Sequence, residues 1–124
     1  MRILLIDDEA ELREFLKEVL VEKGYEVTEA GDGREARKIF QGSQPFDVII
    51  SDIRMPFISG VELLHLVKRN KPTIFILMTG FADREDTKTA YSVGADDFLQ
   101  KPFSTEALIA SIDKCLAAKK AKKP

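Results

Sequence analysis

The chain has one cysteine, a small net charge and no apolar run near the length of a membrane span. The single cysteine, Cys115, excludes an internal disulfide and a cysteine-rich metal site. The formal net charge of −2 argues against a dedicated binder of nucleic acid or of acidic membranes. The roughly 20 consecutive apolar residues that span a bilayer do not occur, and the start, Met1-Arg2-Ile3, is unlike a signal peptide. We therefore expect a cytoplasmic protein that makes no direct contact with nucleic acid or membrane.

The composition is typical of one ordinary globular domain. A chain of 124 residues is long enough for a single hydrophobic core. The apolar share of 44% and the charged share of 32% fit a folded protein. We expect the domain to cover residues 1–118. Residues 119–124 are predicted to be a lysine-rich tail at a frayed helix end, where cations suit the negative end of the helix dipole.

Strand and helix patterns alternate along the chain. Strand patterns cover 2–7, 25–30, 46–51, 73–78 and 97–100. Helical spacing of apolar residues covers 9–23, 33–42, a stretch from the Ser59 capping box to about residue 70, 83–93 and the stretch after Ser104. Strands that alternate with helices imply βαβ units and a parallel sheet, which places the chain in the α/β class.

The polarity of the strands predicts their order in the sheet. The first, third and fourth strands are almost continuously apolar, as expected of central strands that are covered on both faces. The second and fifth strands are more polar, which suits edges. The order 2-1-3-4-5 satisfies both facts and the right-handed crossover rule. We therefore predict a single doubly wound (βα)5 domain with a flavodoxin-like, parallel five-stranded sheet.

Acidic residues follow two of the apolar strands where each strand ends. Asp7 and Asp8 come after the first strand, and Asp52 comes after the third. In open parallel sheets, ligands bind beyond the carboxyl ends of the strands where the strand order reverses, which here lies between these two strands. Two like charges about 4 Å apart repel by roughly 4 kcal/mol at an effective dielectric near 20. Something positive must therefore enter the cluster, and a divalent cation that prefers oxygen ligands is the natural candidate.

A hydroxyl and an ammonium follow the neighbouring strands. Thr79 comes at the end of the fourth strand, and Lys101 comes at the end of the fifth. Carboxylates, a hydroxyl, an ammonium and Mg²⁺ together suit phosphoryl transfer to a carboxylate, because position and electrostatics carry that reaction. Aspartate is an accepted nucleophile in such chemistry and gives an acyl phosphate.

The whole chain resembles the receiver domain of two-component response regulators. The motifs that carry the resemblance are Ile6-Asp7-Asp8-Glu9, Ser51-Asp52-Ile53-Arg54-Met55-Pro56, Ser59-Gly60, Met78-Thr79-Gly80, Gly94-Ala95-Asp96-Asp97-Phe98 and Lys101-Pro102-Phe103. Their order and spacing are highly specific when taken together. The resemblance also suggests a cis peptide bond between Lys101 and Pro102.

The resemblance implies a role for each residue of the site. Asp52 would accept a phosphoryl group from a phosphohistidine on a sensor histidine kinase or a phosphotransfer protein. Asp8 and Asp52 would ligate Mg²⁺, with Asp7 acting mostly through water. The backbone carbonyl of Arg54 would supply a further ligand, and Lys101 would contact the phosphoryl group.

The resemblance also implies a switch. Thr79 would move toward the phosphoryl group, and Phe98 would turn inward into the space that Thr79 leaves. The surface of the fourth helix, fifth strand and fifth helix would then shift, and a downstream protein target docks there. Such a chain is a signalling receiver that catalyses only its own phosphorylation and dephosphorylation, and not an enzyme with a separate substrate.

Plainer interpretations exist for single residues. Asp7 and Asp8 could cap the first helix, and Lys101 taken alone would be a solvated side chain. His65 is expected to be a solvated helix residue, and Cys115 is expected to pack in the core.

Three other functions compete with the signalling switch. A small Mg²⁺-dependent phosphatase of the haloacid dehalogenase kind also uses an aspartyl nucleophile, but it needs a second acid two residues later, where this chain has Arg54. A flavodoxin-like cofactor module needs a phosphate loop rich in Ser, Thr and Gly, whereas the loop here is Asp-Asp-Glu. A degenerate receiver kept only for binding would have lost Asp8, Asp52, Thr79 or Lys101.

Overall fold

A computed structural model of the chain describes residues 1–42, 45–68, 73–80 and 94–121. Its strands are β1 (Arg2–Ile6), β2 (Glu26–Ala30), β3 (Val48–Asp52), β4 (Ile74–Thr79) and β5 (Asp97–Gln100). They form one parallel sheet in the order β2-β1-β3-β4-β5, which confirms the predicted order. β2 and β5 are the edges, as their more polar sequences predicted.

Helices cover both faces of the sheet. The described helices are α1 (Ala10–Glu22), α2 (Gly33–Gly42), α3 (Gly60–Lys68) and a last helix (Thr105–Ala121). α2 and α3 pack with alternate strand residues such as Leu4 and Ile6. α1 and the last helix pack on the opposite face with Ile3 and Leu5. This two-sided burial explains why β1, β3 and β4 are almost continuously apolar.

Side chains cap the amino ends of α2, α3 and the last helix. The carboxylate of Asp32 accepts the Glu35 N–H at 2.8 Å. The Ser59 hydroxyl accepts the Glu62 N–H at 3.1 Å, and the Glu62 carboxylate accepts the Ser59 N–H at 3.5 Å. This reciprocal pair is a capping box, and Ser104 caps the last helix through its hydroxyl. Within the described residues, no helix is both long and apolar enough to cross a membrane.

The register of the sheet brings the functional strand ends to one edge. Ile6, the last residue of β1, pairs with Ser51 of β3. Asp52, the last residue of β3, pairs with Met78 of β4. Thr79 of β4 pairs with the last residue of β5, directly before Lys101. The residues that end or follow these strands therefore share the carboxyl edge of the sheet.

The third strand differs from its prediction at both ends. The pattern predicted 46–51, with Asp52 beyond the strand, but β3 begins at Val48 and includes Asp52. Asp52 stays in the ladder because β4 extends far enough to pair with it. Its carboxylate therefore projects from regular strand backbone, which holds it more firmly than a loop would.

Phe15 shares the helical spacing of the apolar residues in 9–23 but does not belong to the buried stripe of α1. Leu16 and Leu20 fill the buried stripe of this helix, and Leu12 packs beside them. Phe15 lies about 100° around the helix from Leu16 and is 51% exposed.

Two predicted elements cannot be compared fully with the structure. The helix expected over 83–93 lies outside the described residues, as does the end of the chain from 122 to 124. Lys119 and Lys120, expected in the tail, belong to the last turn of the last helix. There they lie at the negative end of the helix dipole, as anticipated.

Gly60 allows α3 to begin directly against the end of β3. A Cβ at this position would lie 2.3 Å from the carbonyl oxygen of Asp52 and 3.0 Å from Cα of Ile53. The Gly60 N–H donates to the Ile53 carbonyl at 2.8 Å. The absence of a side chain at Gly60 therefore helps to fix the position of Asp52.

We predict that Gly60→Ala destabilises the fold by about 2–3 kcal/mol, because the added methyl meets backbone that cannot move aside easily. Gly42→Ala is the matched control, since among the described residues nothing lies within 4 Å of a Cβ there. This control is expected to be neutral or stabilising by about 0.5 kcal/mol. Urea unfolding followed by circular dichroism measures both, and equal stabilities of the two variants would contradict the prediction.

Candidate functional site

Three carboxylates meet at the carboxyl ends of β1 and β3. One carboxylate oxygen from each of Asp7, Asp8 and Asp52 lies within 4.8 Å of the others. Asp7 is fully buried, Asp52 is 7% exposed, and Asp8 is open to solvent. Such a set of hard oxygen ligands, with one side facing solvent, fits a divalent cation such as Mg²⁺.

Lys101 places its ammonium among these carboxylates. Its Nζ donates to Oδ2 of Asp7 at 2.8 Å and to Oδ2 of Asp52 at 2.9 Å. Oε1 of Glu9 lies 3.6 Å from the same nitrogen. The side chain of Lys101 is only 11% exposed, so the plain interpretation of a solvated lysine is wrong. Buried carboxylates require such a partner, because an unpaired buried charge is very costly.

Asp7 is held through both its side chain and its backbone. Oδ1 accepts the Glu9 N–H at 2.9 Å, which is a local contact of the kind expected at the start of a helix. Its own N–H donates to the Ala30 carbonyl of β2 at 3.2 Å. Its carbonyl accepts a hydrogen bond from Nη1 of Arg13 at 2.7 Å. The N-cap residue of α1 is Glu9, which makes no side-chain cap hydrogen bond, so Asp7 contacts the backbone before the helix with one carboxylate oxygen and Lys101 with the other.

The other predicted site residues lie at the same edge without all entering the cluster. Thr79 is buried at the end of β4, and its carbonyl accepts the Lys101 N–H at 2.6 Å. Arg54 lies two residues beyond β3 with an exposed side chain. Phe98 is half-buried in β5 and packs against the core on the face of α2 and α3. The Lys101–Pro102 bond is cis, as the motif suggested.

The environment moves two pKa values in the site. Burial raises the pKa of the Asp52 carboxyl, and the charges of Asp7 and Asp8 add to this effect against the opposing hydrogen bond and charge of Lys101. Burial disfavours the ammonium of Lys101, but its hydrogen bonds to Asp7 and Asp52 outweigh burial and raise the pKa of Lys101 above its usual range. Lys101 is therefore a permanent cation at any physiological pH.

The family of the chain follows from comparison with known proteins. The sequence model of the response regulator receiver domain matches residues 3–113. The chain belongs to this family.

The receiver is 38% identical over 111 residues to "Probable transcriptional regulator ycf27" of Guillardia theta, covering 90% of the chain and 43% of that protein. It therefore spans less than half the length of that relative. It also covers 95% of "Probable chemotaxis protein CheY" of Rhizobium etli, with 35% identity over 97% of the chain.

A solved structure supports the same assignment. The response regulator protein TrrA of Thermotoga maritima, solved in complex with Mg²⁺ and BeF, is 37% identical. Its TM-score is 0.81, with coverage of 92% of this receiver and 97% of that chain. The relatives support a phosphorelay signalling switch and do not favour the phosphatase alternative.

His65 and Cys115, which the sequence analysis considered because of their side-chain chemistry, lie away from the acidic cluster of the receiver. His65 is exposed on α3. Cys115 is buried in the core under the last helix, as predicted, and burial raises the pKa of its thiol.

Sequence reasoning missed the contacts that Glu9 and Arg13 make with the cluster. Arg13 carried a detectable signal, because it lies in the first turn of α1, where a cation opposes the helix dipole. A basic residue at that position suggests a nearby acceptor that compensates for it.

We predict that Lys101→Met raises the pKa of Asp52 further, because the substitution removes the hydrogen bond and the charge that now oppose burial. The ¹³C shift of the Asp52 carboxyl, followed through a pH titration by NMR, measures this change. Lys17→Met is the control, since Lys17 pairs with Glu29 and not with the cluster. An Asp52 pKa that falls or stays constant in Lys101→Met would show that the ammonium is not the controlling partner.

Proposed function

We propose that the receiver, over residues 1–118, accepts a phosphoryl group on Asp52 from a phosphohistidine of a histidine kinase or a phosphotransfer protein. The observation that carries this proposal is the ammonium of Lys101 between the carboxylates of Asp7 and Asp52. That arrangement supplies a nucleophile, a fixed cation and a set of oxygen ligands in one pocket.

Asp52 is the proposed nucleophile. One of its carboxylate oxygens forms a bond to phosphorus while the phosphorus–nitrogen bond of the phosphohistidine breaks, which leaves the imidazole with the donor. Burial makes this carboxylate more basic than an exposed one, and Lys101 helps to keep it ionised. Its place within β3 fixes the direction of attack.

Lys101 is proposed to contact the phosphoryl oxygens during and after the transfer. Its ammonium already lies 2.9 Å from Asp52, so a small movement brings it to a group attached there. Because its pKa is raised, it keeps its charge throughout the reaction. A fixed cation in a partly buried pocket stabilises a charged transition state better than solvent does.

Asp7, Asp8 and Asp52 are proposed to hold Mg²⁺, with the backbone carbonyl of Arg54 as a further ligand and Asp7 acting mostly through water. The hard carboxylate oxygens within 4.8 Å of one another support this assignment. When bound, the ion would offset negative charge on the phosphoryl oxygens.

Thr79 and Phe98 are proposed to transmit the change. The Thr79 carbonyl accepts the Lys101 N–H at 2.6 Å, so the end of β4 is tied to the residue that carries the ammonium. Phe98 lies in β5, opposite Leu77 of β4. A shift of Thr79 toward the phosphoryl group would favour an inward Phe98 and alter the surface of the predicted helix 83–93, β5 and the last helix, where a downstream protein docks.

On this proposal, the receiver catalyses its own phosphorylation and dephosphorylation and turns over no separate substrate. A phosphatase, in contrast, would turn over separate phosphate esters. Release of phosphate from small phosphate esters at a rate above that of spontaneous hydrolysis would support that alternative.

We predict that incubation with a small acyl phosphate and Mg²⁺ adds one phosphoryl group, measured by intact mass. Asp52→Asn should abolish labelling because it removes the nucleophile, and Asp8→Ala should weaken it because it removes a Mg²⁺ ligand. Asp113→Asn, which changes an exposed carboxylate of the last helix, is the control and should label as the wild type does. Equal labelling of Asp52→Asn and wild type would falsify the assignment of the nucleophile.

A further inference from the structure

Among the described residues, the carbonyl of Asp7 receives a hydrogen bond from a side chain and not from a neighbouring strand. The ladders of β1 end at Ile6, which pairs with Ala30 on one side and Ser51 on the other. Asp7 follows directly and is 0% exposed, so its carbonyl is buried just where the sheet ends. Nη1 of Arg13 donates to it at 2.7 Å. A buried carbonyl requires a donor, and the guanidinium supplies it.

Arg13 is itself held in place on its other side. Its Nε donates to Oε1 of Glu29 in β2 at 3.3 Å. Oε2 of the same carboxylate accepts from Nζ of Lys17 at 3.2 Å. A guanidinium is a rigid planar fork, so contacts at Nε and Nη1 define its orientation.

The position of that carbonyl bears directly on the acidic cluster. It belongs to the peptide unit that joins Asp7 to Asp8, two of the three carboxylates in the site. The N–H of Asp7 is bound to the Ala30 carbonyl, and the Asp7 carboxylate is bound to Lys101. Arg13 therefore fixes the peptide group that sets the direction of the exposed Asp8 side chain relative to buried Asp7.

We propose that Arg13 is a positioning residue of the cation site: its guanidinium, anchored by Glu29, holds the Asp7–Asp8 peptide so that both carboxylates face Asp52. This inference rests on the proposed Mg²⁺ site. Groups that orient metal ligands without touching the metal commonly change its affinity by about 10–100-fold.

Charge and position predict opposite effects for the loss of Arg13. The guanidinium is a cation next to the cluster, so its charge alone repels Mg²⁺ and its removal would tighten binding. If its main effect is to orient the ligands, removal loosens the site and weakens binding. The direction of the change therefore separates the two roles.

The test is a titration of the full chain with MgCl₂, followed by amide NMR shifts, in the wild type and in variants. Arg13→Met should weaken Mg²⁺ binding about 10-fold. Arg13→Lys should recover part of the loss, because an ammonium can still donate to the Asp7 carbonyl. Lys17→Met, which also removes a cation that contacts Glu29, should stay within about twofold of the wild type, because it leaves Arg13 on Asp7. Equal or tighter binding by Arg13→Met would overturn the proposal.

A second variant keeps the test decisive if Arg13→Met unfolds. Glu29→Asp leaves Arg13 present and keeps the local charge but shortens the side chain that anchors the guanidinium, and it should weaken Mg²⁺ binding more than Lys17→Met does. Equal affinities of these two variants would contradict the proposed role of Glu29 and, through it, of Arg13. If the wild type itself shows no Mg²⁺-dependent shifts, the proposed function fails along with this inference. If the wild type binds Mg²⁺ and the variants bind it with the same affinity, only the proposal on Arg13 fails.

Discussion

The pairing of Lys101 with Asp7 and Asp52 is the interaction on which the site depends. The contact joins residues separated by 94 and 49 positions in the sequence. It requires β1, β3 and β5 to end at the same edge, which the observed strand order provides. Without the ammonium, two buried carboxylates would face each other with no positive charge between them. The fold therefore brings Asp52, the proposed nucleophile, into contact with its counter-ion.

The directions of the pKa shifts of Lys101 and Asp97 indicate how the stability of the folded state depends on pH. The raised pKa of Lys101 contributes stability that is fully present below the ordinary lysine value and is lost as pH rises through the higher folded value. The pKa of Asp97 is shifted in the opposite direction, below its ordinary value. Burial disfavours its charge, but hydrogen bonds from Ser111, the Phe98 N–H and Lys114 outweigh burial and lower its pKa. Its contribution is present above the ordinary aspartate value and is lost as pH falls through the lower folded value.

Asp52 is different, because its raised pKa means that folding disfavours its charged form. This unfavourable free energy therefore falls on the residue that we propose reacts. Asp97, at the start of β5 in the same sheet, has partners that favour its carboxylate form. This contrast is expected when one carboxylate serves reactivity and the other serves stability.

The local sequence predicted the sheet order and the acidic cluster, because both follow from which strands are apolar and what comes after them. The strand ends also placed the Lys101 ammonium at this edge. The sequence did not predict that Lys101 is buried, since a lone lysine after an edge strand is ordinarily solvated. The sequence did not show that Phe15 lies outside the buried stripe of α1, because helical spacing indicates a stripe but not its width. Arg13 was missed because its partners, Asp7 and Glu29, are chosen by how α1 packs on β1 and β2. The roles of Thr79, Phe98 and Arg54 stay predictions, since their positions at the edge do not by themselves show movement or ligation.

The most direct test of the central claim is to trap the phosphorylated form and locate the modified residue. Borohydride reduces an acyl phosphate to an alcohol, so the reacted aspartate becomes homoserine and can be identified by peptide mass spectrometry. The account predicts homoserine at position 52 after incubation with acyl phosphate and Mg²⁺, and none when Mg²⁺ is chelated beforehand. Reduction at another carboxylate, or equal reduction at position 52 without the metal, would contradict it.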